Sequence, residues 1–135
     1  MKNAVKNLQE GLATAAASRP KVNGFPVLAE TLRRFGVRRN EWYLPACLSL
    51  YWTDLGAVAQ QEKPLQSGLG PVPAFDMNAL LAAIESDKAG RSAFPEFLAA
   101  SWKAGVVRFR VDFDARSVTY FGATQESYVE HYPAV

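Results

Sequence analysis

The sequence predicts an α+β domain in which an antiparallel sheet carries helices packed on one face. Three observations support this fold class: apolar residues at helical spacing, strand segments with alternating polarity, and repetition of the same order of elements in the second half of the chain. A chain of 135 residues with 49% apolar and 21% charged residues has the size and composition of one globular domain. We therefore expect a single domain, 1–135, built from two halves of approximately 1–66 and 70–135.

Two helices are predicted at the start of the chain. The segment Lys2–Ser18 has apolar residues three or four positions apart, at Val5, Leu8, Leu12 and Ala15. A second helix is expected to begin at Pro26, because a proline at the first helical position loses no hydrogen bond. Gly36 is expected to end it as a C-terminal cap.

Three strands are predicted next. Val37–Leu44 and Ala46–Thr53 are rich in aromatic and branched residues, and a tight turn then leads to a short strand, Ala57–Gln61. The segment Lys63–Phe75 contains three prolines and two glycines, which is typical of a connecting loop.

The second half repeats this order. Asp76 can cap a helix over Met77–Lys88, and Phe94-Pro95 opens another helix that ends at Gly105. Three strands are predicted after it, over Val106–Phe113, Ser117–Phe121 and approximately Glu126–Tyr132.

The repetition has a constant offset of 69 residues. It places Phe25-Pro26 on Phe94-Pro95, Gly36-Val37 on Gly105-Val106, and Tyr51 on Tyr120. Because these matches coincide with predicted helix starts, helix ends and strands, we expect two helix–helix–strand–strand–strand halves related by a pseudo-twofold axis.

The first strand of each half differs in polarity. In the second half, one face carries only apolar residues: Val107, Phe109, Val111 and Phe113. The matching positions of the first half are Arg38, Asn40, Trp42 and Leu44. A buried, unpaired arginine costs several kcal/mol. Three interpretations therefore stay open: a strand end open to solvent, a register shifted by one residue, or a polar binding surface formed by Arg38, Asn40, Trp42 and Tyr43.

The sequence offers no set of residues that indicates catalysis. Cys47 lies in an apolar strand, and the single histidine, His131, lies near the other end of the chain. One cysteine and one histidine are too few for a zinc site, which needs about four such ligands. We therefore predict no catalytic residues, no metal and no cofactor.

The charge and hydropathy patterns argue against nucleic-acid and membrane partners. The basic run Arg33–Arg39 is interpreted as a helix C-terminus, where arginines interact favourably with the helix dipole, so no nucleic-acid partner is predicted. The longest apolar run without charge, Trp42–Thr53, has 12 residues, whereas a membrane-spanning helix needs about 20. We expect a cytoplasmic protein that does not enter the membrane.

From Phe25 onward the sequence resembles the YdfO-like family of small bacterial and prophage proteins of unknown function. The segments that carry the resemblance are Phe25-Pro26 through Gly36-Val37, the helix from Asp76 with Gly90-Arg91-Ser92, Ala104-Gly105-Val106 through Val111-Asp112, Thr119-Tyr120, and Val129-Glu130. The resemblance implies a small α+β domain encoded in bacteria or their phages, and it implies no activity.

These observations predict a non-enzymatic accessory domain that binds a macromolecule, either a protein partner or a second copy of itself. This prediction rests on the abundance of aromatic residues in the strands, together with exposed sheet edges. The alternative hypothesis is a binder of a small anionic ligand, held in a pocket between the halves near Arg38 and Asn40.

Overall fold

The structure is a computed structural model that describes residues 2–135. It contains all ten predicted elements, in the predicted order. They are α1 (Ala4–Ser18), α2 (Phe25–Arg34), β1 (Val37–Tyr43), β2 (Leu48–Thr53), β3 (Gly56–Gln61), α3 (Met77–Lys88), α4 (Phe94–Lys103), β4 (Arg108–Asp112), β5 (Ser117–Phe121) and β6 (Ser127–His131). The α+β class and the two helix–helix–strand–strand–strand halves are confirmed.

The six strands form one antiparallel sheet in the order β3-β2-β1-β4-β5-β6. Each half contributes three consecutive strands, and β1 and β4 join the halves at the centre. Glu41 pairs with Arg110 in the middle of this junction. The chain therefore builds two local meanders and one long-range strand pair.

The two halves are related by a pseudo-twofold axis through the β1–β4 pair. The Leu44 amide donates to the Val107 carbonyl at 2.9 Å, and the Phe113 amide donates to the Arg38 carbonyl at 3.2 Å. These two bonds are equivalent in the repeat, because the offset of 69 residues relates Leu44 to Phe113 and Arg38 to Val107. The bounds of α2 and α4 differ by the same offset.

Side chains and prolines set the helix starts. The Asn3 side chain accepts a hydrogen bond from the Lys6 amide at 2.9 Å, and Asp76 accepts one from the Ala79 amide at 3.0 Å. Both α2 and α4 have a proline in their first turn. The cap predicted at Asp76 is confirmed.

A bulge at the start of β1 removes Arg38 from the inward alternation, as expected for the interpretation in which this end of the strand is open to solvent. Val37 pairs with Thr53 and Arg39 pairs with Trp52, so Arg38 is the extra residue of the bulge. Val37 takes the inward place and is fully buried. The Arg38 guanidinium instead lies in solvent at the end of the sheet.

There the Arg38 side chain forms two ion pairs. Its guanidinium donates to both oxygens of Asp54, at 3.0 and 2.7 Å, and to Asp114 at 3.3 Å. This hydrogen bonding lowers the pKa of Asp54 below its usual value. Arg38, which interrupts the alternation of apolar and polar residues in the sequence, is therefore paired with acidic side chains at the surface.

One hydrophobic core spans both halves and lies between the helices and the inner sheet face. It includes Leu32 from α2, Leu80 from α3, Phe97 from α4, and the strand residues Trp42 and Phe109. Among residues 2–135, no helix combines the length and the apolar character that crossing a membrane requires.

Candidate binding site between the helices and the sheet

A cavity of about 1280 Å³ lies between the two helix pairs and the inner face of the sheet. We call it the central cleft. All four helices and all six strands contribute to its lining. Its walls include buried side chains such as Leu32, Ile84 and Leu98, and exposed ones such as Lys63 and Pro133, so the cleft extends from the core to the surface.

The floor of the central cleft is the junction of the two halves. Asn40 lies opposite Val111, and Trp42 lies opposite Phe109, in the β1–β4 register. Directly opposed residues of an antiparallel pair share one face, so these four side chains form one patch beneath the helices. The pseudo-twofold axis thus passes through the floor.

Aromatic side chains connect the floor to the helical wall. The ring of Trp42 lies 5.0 Å from Phe94 and 6.3 Å from Phe109, between centroids. Phe109 lies 6.3 Å from Phe97 and 5.8 Å from Tyr120. Such spacing is typical of aromatic packing. Flat apolar surfaces of this kind suit the rings or chains of an organic ligand.

Three polar groups lie among these apolar walls. The Asn40 amide donates to the Leu50 carbonyl at 3.0 Å, which fixes its orientation beside the cleft. Burial raises the pKa of Tyr51 and, more strongly, that of Tyr120. Both hydroxyl groups therefore stay protonated at neutral pH and can donate a hydrogen bond.

Charged side chains line the cleft where α3 meets β6. Lys88 Nζ lies 3.0 Å from Glu130 Oε2. Burial raises the pKa of the half-buried Asp87, while the nearby charge of Arg19 opposes that shift and Glu130 adds to it. The positive and negative charges in this region largely balance each other.

Cys47 and His131 both line the central cleft. Burial is the main cause that raises the pKa of the Cys47 thiol, and the negative charge of Glu62 adds to it. A raised pKa disfavours the reactive thiolate. Residues 2–135 contain no group of three or more histidine, cysteine, aspartate or glutamate side chains placed to hold a metal ion.

The opposite face of the sheet carries a second group of aromatic residues, and no helix of residues 2–135 covers it. Arg39 lies over the Trp52 ring at 4.1 Å, and Arg108 lies over the Phe121 ring at 3.7 Å. The 69-residue offset relates these two stacks. We call this surface the outer face.

The structure brings together two of the four residues predicted from the sequence as a binding surface. Asn40 and Trp42 lie side by side in the central cleft. Tyr43 lies on the outer face, where its hydroxyl donates to Glu41 Oε2 at 2.7 Å, and this bond raises the pKa of Tyr43. Arg38 lies at the end of the sheet, outside the lining of the cleft.

Sequence reasoning missed the helical part of the site. Leu28, Ile84, Phe94 and Phe97 line the cleft, although their spacing predicts only a buried helix face. The separation between the two helix pairs, which creates the cleft, leaves no local signal. The sequence gives one indication of a binding site, which is the polar residue Asn40 at the position where the second half has Phe109.

No protein-family model matches the chain. The chain is 54% identical, over 131 residues, to the uncharacterized proteins Rv2012 of Mycobacterium tuberculosis (strain ATCC 25618 / H37Rv) and Mb2035 of Mycobacterium bovis (strain ATCC BAA-935 / AF2122/97). Each match covers 97% of this chain and 80% of the relative. The resemblance to the YdfO-like family is not tested by these matches and stays a prediction. The chain belongs to the family that these mycobacterial proteins form.

Proposed function

We propose that the domain binds a small, largely apolar organic molecule in the central cleft. The observation that carries the proposal is the volume of about 1280 Å³, lined mainly by apolar and aromatic side chains around a few polar groups. Ligand pockets commonly measure roughly 300–1,000 Å³ and have this composition. The cleft is large enough for a molecule of two or three fused or linked rings.

The position of the cleft also favours a binding function. Protein interiors are packed with few voids larger than a water molecule, and empty apolar space forfeits dispersion contacts. Here the space lies between two helix pairs that belong to different halves of the chain. A ligand would restore the missing contacts with both halves and would stabilise the folded domain by mass action.

The test is binding of the neutral fluorescent probe N-phenyl-1-naphthylamine. We expect saturable fluorescence enhancement and a rise in melting temperature with the wild-type protein. Ile84→Trp fills part of the cleft and is expected to weaken binding at least tenfold. Leu81→Trp lies on the same helix but on its exposed side, and it should change the affinity less than twofold.

Two results would contradict this proposal. The wild-type protein could give no saturable binding, or the variants at positions 81 and 84 could bind the probe equally well. Thermal melting of both variants shows whether they are folded, so that a loss of binding at position 84 is not confused with unfolding.

A second candidate function is self-association through the outer face. The face carries the paired Arg–aromatic stacks and the exposed Val129, which is 48% accessible. It contains both signs of charge, including Glu41 opposite Arg110, arranged about the pseudo-twofold axis. Such a surface can be complementary to a second copy of itself.

Sedimentation velocity over a range of concentrations tests this candidate. We expect the wild-type protein to shift toward twice the monomer mass as its concentration rises, and Val129→Lys to shift the equilibrium at least tenfold toward monomer. Val5→Lys, at a similarly exposed apolar position on α1, serves as the control. A monomer at all concentrations would rule out self-association and leave the outer face free for a different protein partner.

A further inference from the structure

A smaller groove continues from the central cleft between the α1–α2 loop and the α3–α4 loop. Its volume is about 490 Å³, and we call it the vestibule. Ala16, Arg19 and Phe94 line both spaces. The aromatic wall of the cleft therefore ends at Phe94, directly beside the vestibule.

Contacts between the two loops hold the vestibule in place. The Asn23 amide donates to the Lys88 carbonyl at 2.8 Å. Gly90 has a φ of +74°, and a Cβ atom there would lie 2.9 Å from the carbonyl oxygen of Lys21. This close approach brings the basic residues of one loop next to those of the other.

The vestibule is predominantly basic. Arg19, Lys21 and Arg91 line it, and Glu96 is its single acidic residue. The Glu96 carboxylate accepts a hydrogen bond from the Ala93 amide at 2.9 Å, where it caps α4. Asp87 lines the central cleft, and the charge of Arg19 opposes the rise that burial causes in the pKa of this carboxyl group. Among the side chains that line the vestibule, three cations therefore outnumber one carboxylate, which is engaged at the start of α4.

We infer that the ligand of the central cleft is an amphipathic organic anion. Its ring or chain lies against the aromatic wall, and its carboxylate, sulfonate or phosphate group lies in the vestibule beside Arg19, Lys21 and Arg91. This inference rests on the proposed function and names the class of ligand. Arg38 lines neither space, and its guanidinium is engaged by Asp54 and Asp114.

A matched pair of probes tests the inference. 1-Anilinonaphthalene-8-sulfonate and N-phenyl-1-naphthylamine share one ring system and differ by the sulfonate group. We expect the wild-type protein to bind the anionic probe at least tenfold more tightly than the neutral one at low salt. The double variant Arg19→Gln/Arg91→Gln should weaken binding of the anionic probe about tenfold or more and change binding of the neutral probe less than twofold.

Lys103→Gln is the control, because this exposed lysine lies at the other end of α4 and outside both spaces. Equal affinity of the wild-type protein for the two probes, or an unchanged affinity of the double variant for the anion, would overturn the inference while the proposed function stands. If neither probe binds, the proposed function itself fails. Binding of the neutral probe by the double variant shows that the variant is folded.

Discussion

Gly105→Ala is expected to lower the free energy of unfolding by about 3–5 kcal/mol, whereas Gly36→Ala should cost about 1–2 kcal/mol. The two glycines are equivalent in the repeat, and both have a positive φ, +86° and +88°. A side chain at either site therefore adds similar backbone strain. The difference must come from what the added methyl group meets.

At Gly105 the methyl group would meet the main chain. Its Cβ atom would lie 2.5 Å from Cα of Phe75 and 2.6 Å from the carbonyl oxygen of Ala74. This segment is fixed because the Asp76 amide donates to the Ala104 carbonyl at 2.8 Å. At Gly36 the nearest atom is Oδ2 of Asp54 at 3.2 Å, in an exposed side chain that can shift together with its partner Arg38 more readily than main chain can.

Urea denaturation of both variants measures this difference. Chemical denaturation gives the free energy of unfolding when the transition is two-state and its slope is unchanged. Equal losses at the two glycines would mean that the segment around Phe75 yields to the methyl group. The segment that precedes α3 would then not constrain position 105, despite its close contact with the end of α4.

Phe109→Ala is expected to cost about 3–5 kcal/mol, the usual range for truncating a buried phenylalanine. The ring is only 5% exposed and lies between Trp42, Phe97 and Tyr120. It therefore links both halves and the helical layer. Its loss would enlarge the central cleft as well as remove these contacts.

Phe121→Ala provides a matched comparison on the neighbouring strand. Phe121 lies on the outer face, is half-buried, and contacts Arg108. Its truncation should cost about 1–2 kcal/mol, because the site stays accessible to water. Thermal and urea unfolding of both variants check the order. A cost at Phe109 no larger than that at Phe121 would contradict the view that the inner aromatic cluster holds the two halves together.

The sequence predicted the elements well because each carries a local signal. Asp76 is a preferred N-cap residue before the helix-forming segment that follows it, and the prolines after Phe25 and Phe94 mark helix starts through their fixed φ. The repeat added independent support, since matching positions fell at matching boundaries. These signals act within a few residues and do not depend on the final arrangement of the layers.

The binding site could be predicted only in part, because it depends on distant segments. Alternation placed Asn40 and Trp42 correctly on the inner face, but the bulge that expels Arg38 is a departure of one residue from that alternation. The pairing of Arg38 with Asp114 joins residues 76 positions apart. No local pattern encodes that distance, or the space between the helix pairs.

The β1–β4 seam has a consequence for how such a domain can evolve. A half on its own would expose β1 as an unpaired edge and would need a second copy to cover it. Joining two halves in one chain replaces this bimolecular encounter with an intramolecular one at high effective concentration. Two identical copies would build a symmetric floor, whereas the fused chain has Asn40 where its equivalent is Phe109, and Trp42 where its equivalent is Val111. Covalent fusion thus allows the residues on each side of the β1–β4 pair to change independently. A cleft that began with twofold symmetry can in this way come to fit a molecule that lacks twofold symmetry.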